Sequence, residues 1–261
     1  MASDAAPDLS GTPYRLLERA AHGEFGAWYA EDGRGERFVV KPRFIEAAVE
    51  ATDVLRPLGY PVPRYVFVRP GLSVQAELPG APLPGWTPLD PAVAARAIEL
   101  NELQAGKRVS HAARWPDRIY SDIMSRDDYV DPELVRRHSA ELLERCRRLV
   151  RGAELAVGGD LVHWDFTTAN ILATGNEITG VVDWEGVCNG DRLFDLVTLF
   201  YYTRTDALRE YVLAHTDARV YAAYLSAMIV RQTAYSLKFH DPEVGPKLID
   251  DGLELSETFP A

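Results

Sequence analysis

Cysteine is nearly absent from this chain, with two in 261 residues. Cys146 falls in a charged helical pattern and Cys188 in an expected loop, so neither a disulfide framework nor a zinc spacing is present, and a reducing compartment is the expectation. The chain also lacks the basic start and apolar stretch of a signal peptide, and no run approaches the roughly 20 apolar residues of a membrane span. A cytoplasmic protein without membrane association follows as the expectation, with residues 1–12, small, acidic and proline-containing, as a disordered tip. Basic charge is in short supply as well: 28 Lys and Arg stand against 39 Asp and Glu, a formal charge of −11. That balance argues against a nucleic-acid partner, whose binding rests on a Lys/Arg footprint. It serves solubility and is compatible with a cationic small molecule. Internal repeats, low-complexity tracts and a full G-x-G-x-x-G are all missing.

What is present starts with 47% hydrophobic residues, enough to core one large domain or two modest lobes sharing a cleft. From Tyr14 to about Pro79 the pattern is short strands, turns and one helix. Strands are expected at Ala27 to Ala30, Arg37 to Lys41, Tyr65 to Val68 and Leu72 to Ala76, with a helix over Ile45 to Leu58 stopped by Gly59. The proline- and glycine-rich run Glu77 to Pro84 separates this part from a helical one, which places an N-lobe at 13–79 and a C-lobe at 80–261. Helices are expected over Pro91 to Gly106, Asp131 to Val150, Leu193 to Thr203 and Ala218 to Phe239; Lys107 to Tyr129 reads mostly as loop.

The most informative stretch is His163-Trp164-Asp165-Phe166-Thr167-Thr168-Ala169-Asn170, followed by two apolar runs about Gly175-Asn176 and then Asp183-Trp184-Glu185. Gly-Asn between β-branched runs predicts a hairpin, and folding about it sets Asn170 opposite the neighbourhood of Val182 and Asp183. An amide carbonyl and a carboxylate then converge at one hairpin end, a donor set that suits Mg²⁺ shared with substrate phosphates. Asp165, on the loop entering the hairpin, is placed to receive a proton from an attacking hydroxyl.

The pattern H-x-D-x-x-x-x-N, then an apolar strand and Asp-Trp-Glu, then Gly190-Asp191 and Asp195-Leu196, resembles the catalytic and metal-binding segments of the aminoglycoside phosphotransferase and choline kinase group over about thirty-five residues. It departs at Trp164, where glycine is commonest, and at Thr167-Thr168, which replace a His-Pro or proline-containing pair. The resemblance implies an α+β, two-lobed protein-kinase-like fold with a strand-rich N-lobe and a larger helical C-lobe. It implies Asp165 as catalytic base, Asn170 and Asp183 as Mg²⁺ ligands, and ATP or GTP as co-substrate. It further assigns His163 to holding the catalytic loop. Glu185 is open between touching metal-bound water and stabilising the loop, while Asp195 reads as a helix cap.

In the N-lobe, Lys41 looks like the lysine that pairs with nucleotide phosphates, with Glu50 as its expected helix partner and Glu46 as the rival. Gly23 and Gly26 form the turn preceding that lysine, and Glu77 and Leu78 resemble the hinge that lines the nucleotide. The implied activity is transfer of a γ-phosphoryl group to a hydroxyl of an aminoglycoside-like or other cationic antibiotic. The alternatives are a metabolic kinase of choline, a sugar, an amino alcohol or homoserine, or a nucleotide-binding pseudokinase module. Asp127, Asp128, Asp250 and Asp251 are the acidic candidates for holding a cationic substrate.

Overall fold

The computed structural model describes residues 6–20, 26–110, 115–124, 130–155, 158–240, 243–257 and 259, with the side chains at 116 and 122 excepted. The first lobe is a five-stranded antiparallel sheet of order β1-β2-β3-β5-β4, built from β1 (Arg15–Arg19), β2 (Trp28–Glu31), β3 (Arg37–Lys41), β4 (Tyr65–Arg69) and β5 (Leu72–Ala76). The period-2 pattern of β3 explains its central place. Phe38 and Val40 turn inward onto Ala30, Leu72 and Val74, and the strand ends by delivering Lys41 toward the second lobe. Helix α1 (Glu46–Leu55) buries Ala47, Ala48, Ala51, Thr52 and Leu55 on one face. That face joins the large core of the second lobe rather than the small core of the sheet, so α1 couples the two.

The second lobe begins with the short strand β6 (Ala81–Pro82), which pairs with the hairpin described below, followed by α2 (Pro91–Leu103), α3 (Trp115–Met124), α4 (Pro132–His138) and α5 (Ala140–Arg151). Strand β7 (Asp160–Val162) then leads into the hairpin β8 (Ile171–Thr174) and β9 (Glu177–Val181), and β10 (Cys188–Gly190) pairs back onto β7. Helices α6 (Leu193–Thr203), α7 (Asp206–His215), α8 (Ala218–Phe239) and α9 (Val244–Glu257) complete the lobe. The 22-residue α8 is capped by Asp217, which accepts from Arg219 N at 2.7 Å, and is buried along most of its length against α3, α4, α5, α6 and α9. It is the spine on which the site is mounted. No helix among the described residues is long and apolar enough to cross a membrane.

The hairpin forms as its sequence predicts, with Ile171 opposite Val181 and Val182 N donating to Asn170 O at 2.9 Å. Three expectations are corrected. Among its described residues the stretch Lys107 to Tyr129 is more helix than loop: α3 occupies its middle, and Trp115, Ile119 and Ile123, four residues apart, are all buried. The single helix expected over Asp131 to Val150 breaks at Ser139 (φ −151°, ψ 96°), whose hydroxyl accepts from Leu142 N and starts α5 afresh. Cys188 lies in β10 rather than in a loop. In the N-terminal stretch expected to be disordered, Leu9 packs against the sheet core and Arg69 donates to the carbonyls of Asp8 and Ser10.

Candidate active site

The loop from His163 to Asn170 leaves β7 and is fastened from beneath by Asp195. Fully buried in the first turn of α6, this carboxylate accepts from His163 N at 2.8 Å, Trp164 N at 3.0 Å and Gln104 Nε2 at 2.8 Å. Burial pushes its pKa up to about 7 against the pull of those donors. Asp195 is therefore no cap of its own helix, as its sequence position suggested; it satisfies the backbone of a different segment. Gln104 extends the clamp, donating to Leu161 O at 3.0 Å while Leu161 N returns to Gln104 O at 3.1 Å. His163 ties the loop to the hairpin: its Nε2 lies 2.9 Å from Val182 O, and its Nδ1 accepts from Asp165 N at 3.2 Å. Only the neutral Nε2–H tautomer satisfies both contacts, and burial lowers the pKa in the same direction.

Trp164 explains why a glycine is common at its position. Its φ is +75°, in the left-handed region that side-chain-bearing residues rarely adopt. Packing holds it there: the indole stacks on Phe194 at 4.8 Å and 17°, meets Trp115 edge-on at 5.8 Å and carries the Arg118 guanidinium 4.0 Å from its centroid. Trp115 reaches this position because residue 190 is glycine; a Cβ there would lie 2.2 Å from the indole Cε3.

Asp165 then projects from a fixed loop. Its Oδ2 accepts from Asn170 Nδ2 at 3.0 Å and its Oδ1 from Arg231 Nη2 at 3.1 Å, while Arg231 also donates to Trp164 O at 2.8 Å. Because the Asn170 nitrogen is spent on Asp165, its carbonyl oxygen is the atom left for other work. Thirteen residues on, Asp183 is turned by a left-handed backbone of φ 66° and ψ 52°. Its Oδ1 accepts from Lys41 Nζ at 2.9 Å and from Arg43 Nη2 at 3.3 Å. Lys41 also donates to Glu185 Oε1 at 2.6 Å, and Arg43 Nε lies 3.7 Å from the same oxygen.

Two cations thus face two carboxylates. Burial would raise the Asp183 pKa, yet the Lys41 charge and its hydrogen bonds hold it below the ordinary carboxylate range. Glu185, more deeply buried, is pushed up to about 7 by burial and by the neighbouring Asp183 carboxylate. Its Oε2 is buried without a hydrogen-bond partner. A carboxylate beside an unsatisfied buried oxygen, with an amide carbonyl across the hairpin end, is a donor set that can take a hard divalent cation. Among the described residues no group of three or more His, Cys, Asp or Glu forms a full metal cage, so such an ion would draw its other ligands from phosphate or water.

A family model described as the phosphotransferase enzyme family matches residues 16–228. The chain belongs to this family. Among solved structures it is similar to a thermostable mutant of aminoglycoside phosphotransferase APH(4)-Ia in a ternary complex with AMP-PNP and hygromycin B, with 19% identity, 94% of each chain covered and a TM-score of 0.67. It is also similar to macrolide 2'-phosphotransferase MphH from Brachybacterium faecium, with 18% identity, 94% of each chain and a TM-score of 0.55. Choline kinase LicA from Streptococcus pneumoniae is another likeness, with 15% identity, 94% of this chain, 95% of that one and a TM-score of 0.59. At such identities these structures speak for the fold, and the expected two-lobed kinase-like architecture is the one observed. No curated protein sequence matches. The protein is accordingly a phosphotransferase.

In this phosphotransferase the structure brings Lys41, Asp165, Asn170, Asp183, Glu185, His163 and Asp195 into one connected site. Glu50 is the correction. Its carboxylate accepts from Ser110 N at 2.8 Å and Ser110 Oγ at 2.7 Å, Glu46 is exposed, and the ammonium of Lys41 is held by Asp183 and Glu185 instead. Gly26 adopts φ +73° in the turn before β2, while Gly23 lies outside the described residues. Glu77 accepts from Arg37 Nε at 2.7 Å, and the Leu78 side chain packs over Gly180 of β9, so this run bridges sheet and hairpin. Asp127 and Asp128 lie outside the described residues. Asp250 is exposed, and Asp251 is paired with Arg204. Arg43, Gln104 and Arg231 take part in the site without having been singled out in the sequence. Only the two-residue spacing of Arg43 from Lys41 offered a signal.

Proposed function

We propose that the protein transfers the γ-phosphoryl group of ATP or GTP to a hydroxyl of a small molecule, an antibiotic being the leading acceptor class. The observation that carries this reading is the placement of Asp165: anchored by Asn170 and Arg231, it stands on a loop whose far end is hydrogen-bonded to the residue preceding Asp183. In this reading the acceptor oxygen attacks the γ-phosphorus, its proton passes to Asp165, and the bond to the β-phosphate oxygen breaks. Lys41 and Arg43 neutralise phosphate oxygens, and Asn170 and Asp183, with Glu185 beside them, hold Mg²⁺, which supplies charge neutralisation of the nucleotide when bound. The run Glu77–Leu78 lines the nucleotide. Residues 13–79 act as the nucleotide-covering lobe, and 80–261 carry the catalytic loop and acceptor pocket.

The similarity to enzymes named for aminoglycosides, macrolides and choline supports a hydroxylated small-molecule acceptor. The test is a panel of hydroxylated antibiotics, choline, sugars and homoserine incubated with ATP or GTP and Mg²⁺, read by mass. One added phosphoryl group on an antibiotic is the expected result; labelling confined to choline, a sugar or homoserine moves the protein to the metabolic alternative, and no labelling contradicts the reading.

A further inference from the structure

Beyond Asp165 the residues of α8 and α6 change character. Arg231, which holds the Asp165 Oδ1, is followed by Gln232, whose side-chain oxygen accepts from the Tyr202 hydroxyl. Tyr202 in turn accepts, through its carbonyl, the backbone N–H of Trp86 at 2.7 Å, and the two rings lie 5.5 Å apart. Trp86 is 52% exposed, with φ +63°. A half-exposed indole on a left-handed backbone is costly on both counts, and such costs gather where a ligand is handled. Residue 85, just before it, lies against the Thr168 hydroxyl of the catalytic loop; a Cβ there would be 3.3 Å from Oγ1. The aromatic pair therefore adjoins the loop that carries Asp165.

Among the described residues of this wall, Asp165 and Asp251 are each paired with an arginine. Arg231 faces Asp165 and Arg118 covers Trp164, while Arg204 lies 6.0 Å from the Trp86 centroid with its charge paired to Asp251. In-line transfer requires the acceptor to enter from the side away from the leaving nucleotide. Lys41, Arg43 and Asp183 occupy the phosphate side, reached from Asp165 through Asn170; the Arg231 side leads along Gln232 to Tyr202 and Trp86.

We infer that Trp86 and Tyr202 determine acceptor specificity, and that the acceptor is a hydroxylated compound presenting an extended apolar ring face. This rests on the proposed phosphoryl transfer at Asp165. An apolar ring gains by covering the indole.

The test measures equilibrium binding of a macrolide and of hygromycin B, each in the presence of AMP-PNP and Mg²⁺, to the parent protein, Trp86→Ala and Trp86→Phe, with ATP-dependent phosphorylation followed by mass in parallel. The macrolide is expected to bind more tightly than hygromycin B. Its Kd should rise about tenfold in Trp86→Ala, be largely restored in Trp86→Phe, and leave AMP-PNP affinity unchanged. Absence of macrolide binding, an unchanged Kd in Trp86→Ala, or tighter binding of hygromycin B overturns the assignment. Asp165→Asn separates the two readings: acceptor binding that persists without transfer supports both, and normal transfer by that variant defeats the catalytic reading while leaving the recognition wall to stand on its binding data.

Discussion

The two halves of the site are built on opposite plans. On the catalytic-loop half, every polar group of His163, Asp165 and Asp195 discussed above meets a partner supplied by the scaffold: Gln104 from the residue closing α2, Arg231 from α8, Val182 from the hairpin end. On the half proposed to meet phosphate, Lys41, Arg43, Asp183 and Glu185 are paired with one another, and one Glu185 oxygen is left without a hydrogen bond. The first arrangement fixes a geometry, as a positioned base requires. The second gathers four ionisable groups whose pairings, in the proposed reading, are exchanged for phosphate and metal. A preset carboxylate beside a cluster of mutually paired charges is the lesson of the contrast.

The comparison breaks most readily at Asp195. Replacing it with alanine strands two buried backbone N–H groups and the Gln104 amide, so Asp195→Ala should lose on the order of 3 kcal/mol of stability, read as a lower urea midpoint, and activity with it. A loss confined to nucleotide affinity would place Asp195 on the wrong half. Next comes Asp165→Asn, expected to lower kcat by a factor on the order of 10² while sparing folding and nucleotide binding. Near-parent turnover would remove it as the base.

On the half of paired charges, Asp183→Asn should weaken Mg²⁺-nucleotide binding more than Asn170→Ala, because removing a charged ligand from a hard cation costs more than removing a neutral one. Nucleotide titrations with and without Mg²⁺ measure this, and metal-independent affinity in the parent protein would contradict the site. The pair Glu185→Gln and Glu50→Gln sharpens the point. Only the first should raise the KM for nucleotide, since Lys41 is held by Glu185 and Glu50 serves Ser110; the reverse order would restore the helix carboxylate as the lysine's partner.

The smallest effect concerns His163. Its pKa is lowered by burial, so the folded state binds fewer protons there than the unfolded chain. Its contribution is complete above the ordinary value near 6.5 and is lost as pH falls below it, by at most about 1.4 kcal/mol per pH unit. Urea midpoints between pH 5 and 8 should therefore fall less steeply on the acid side in His163→Asn than in the parent, and parallel profiles would disprove the buried neutral tautomer.

Much of this was legible in the chain because it is local. The β8–β9 hairpin, with Gly175-Asn176 at its turn, follows from residues adjacent in sequence, and so does the convergence of Asn170 with Asp183. Strands β3 and β5 and helices α6 and α8 were bounded by their own periodicity. What escaped is long-range. The partners of Lys41 lie 142 and 144 residues away, and a helix offers no local sign that its Glu50 is turned toward Ser110, 60 residues on. The Asp195 carboxylate reads as a cap because helix starts favour Asp, and only the tertiary fold aims it at a segment 32 residues earlier. Trp164 carried its own clue, since a residue in a glycine position foretells a left-handed backbone held by packing.

The most direct test of the preset carboxylate and of the proposed exchange at the charge cluster is a crystal structure of the protein with AMP-PNP and Mg²⁺. The account predicts that Lys41 and Arg43 leave Asp183 for phosphate oxygens and that the metal takes Asp183, while the Asp195 contacts to His163 and Trp164 and the Arg231 contact to Asp165 stay in place. A complex in which Lys41 and Arg43 remain on Asp183, or in which the His163 to Asn170 loop rebuilds around the nucleotide, would contradict it.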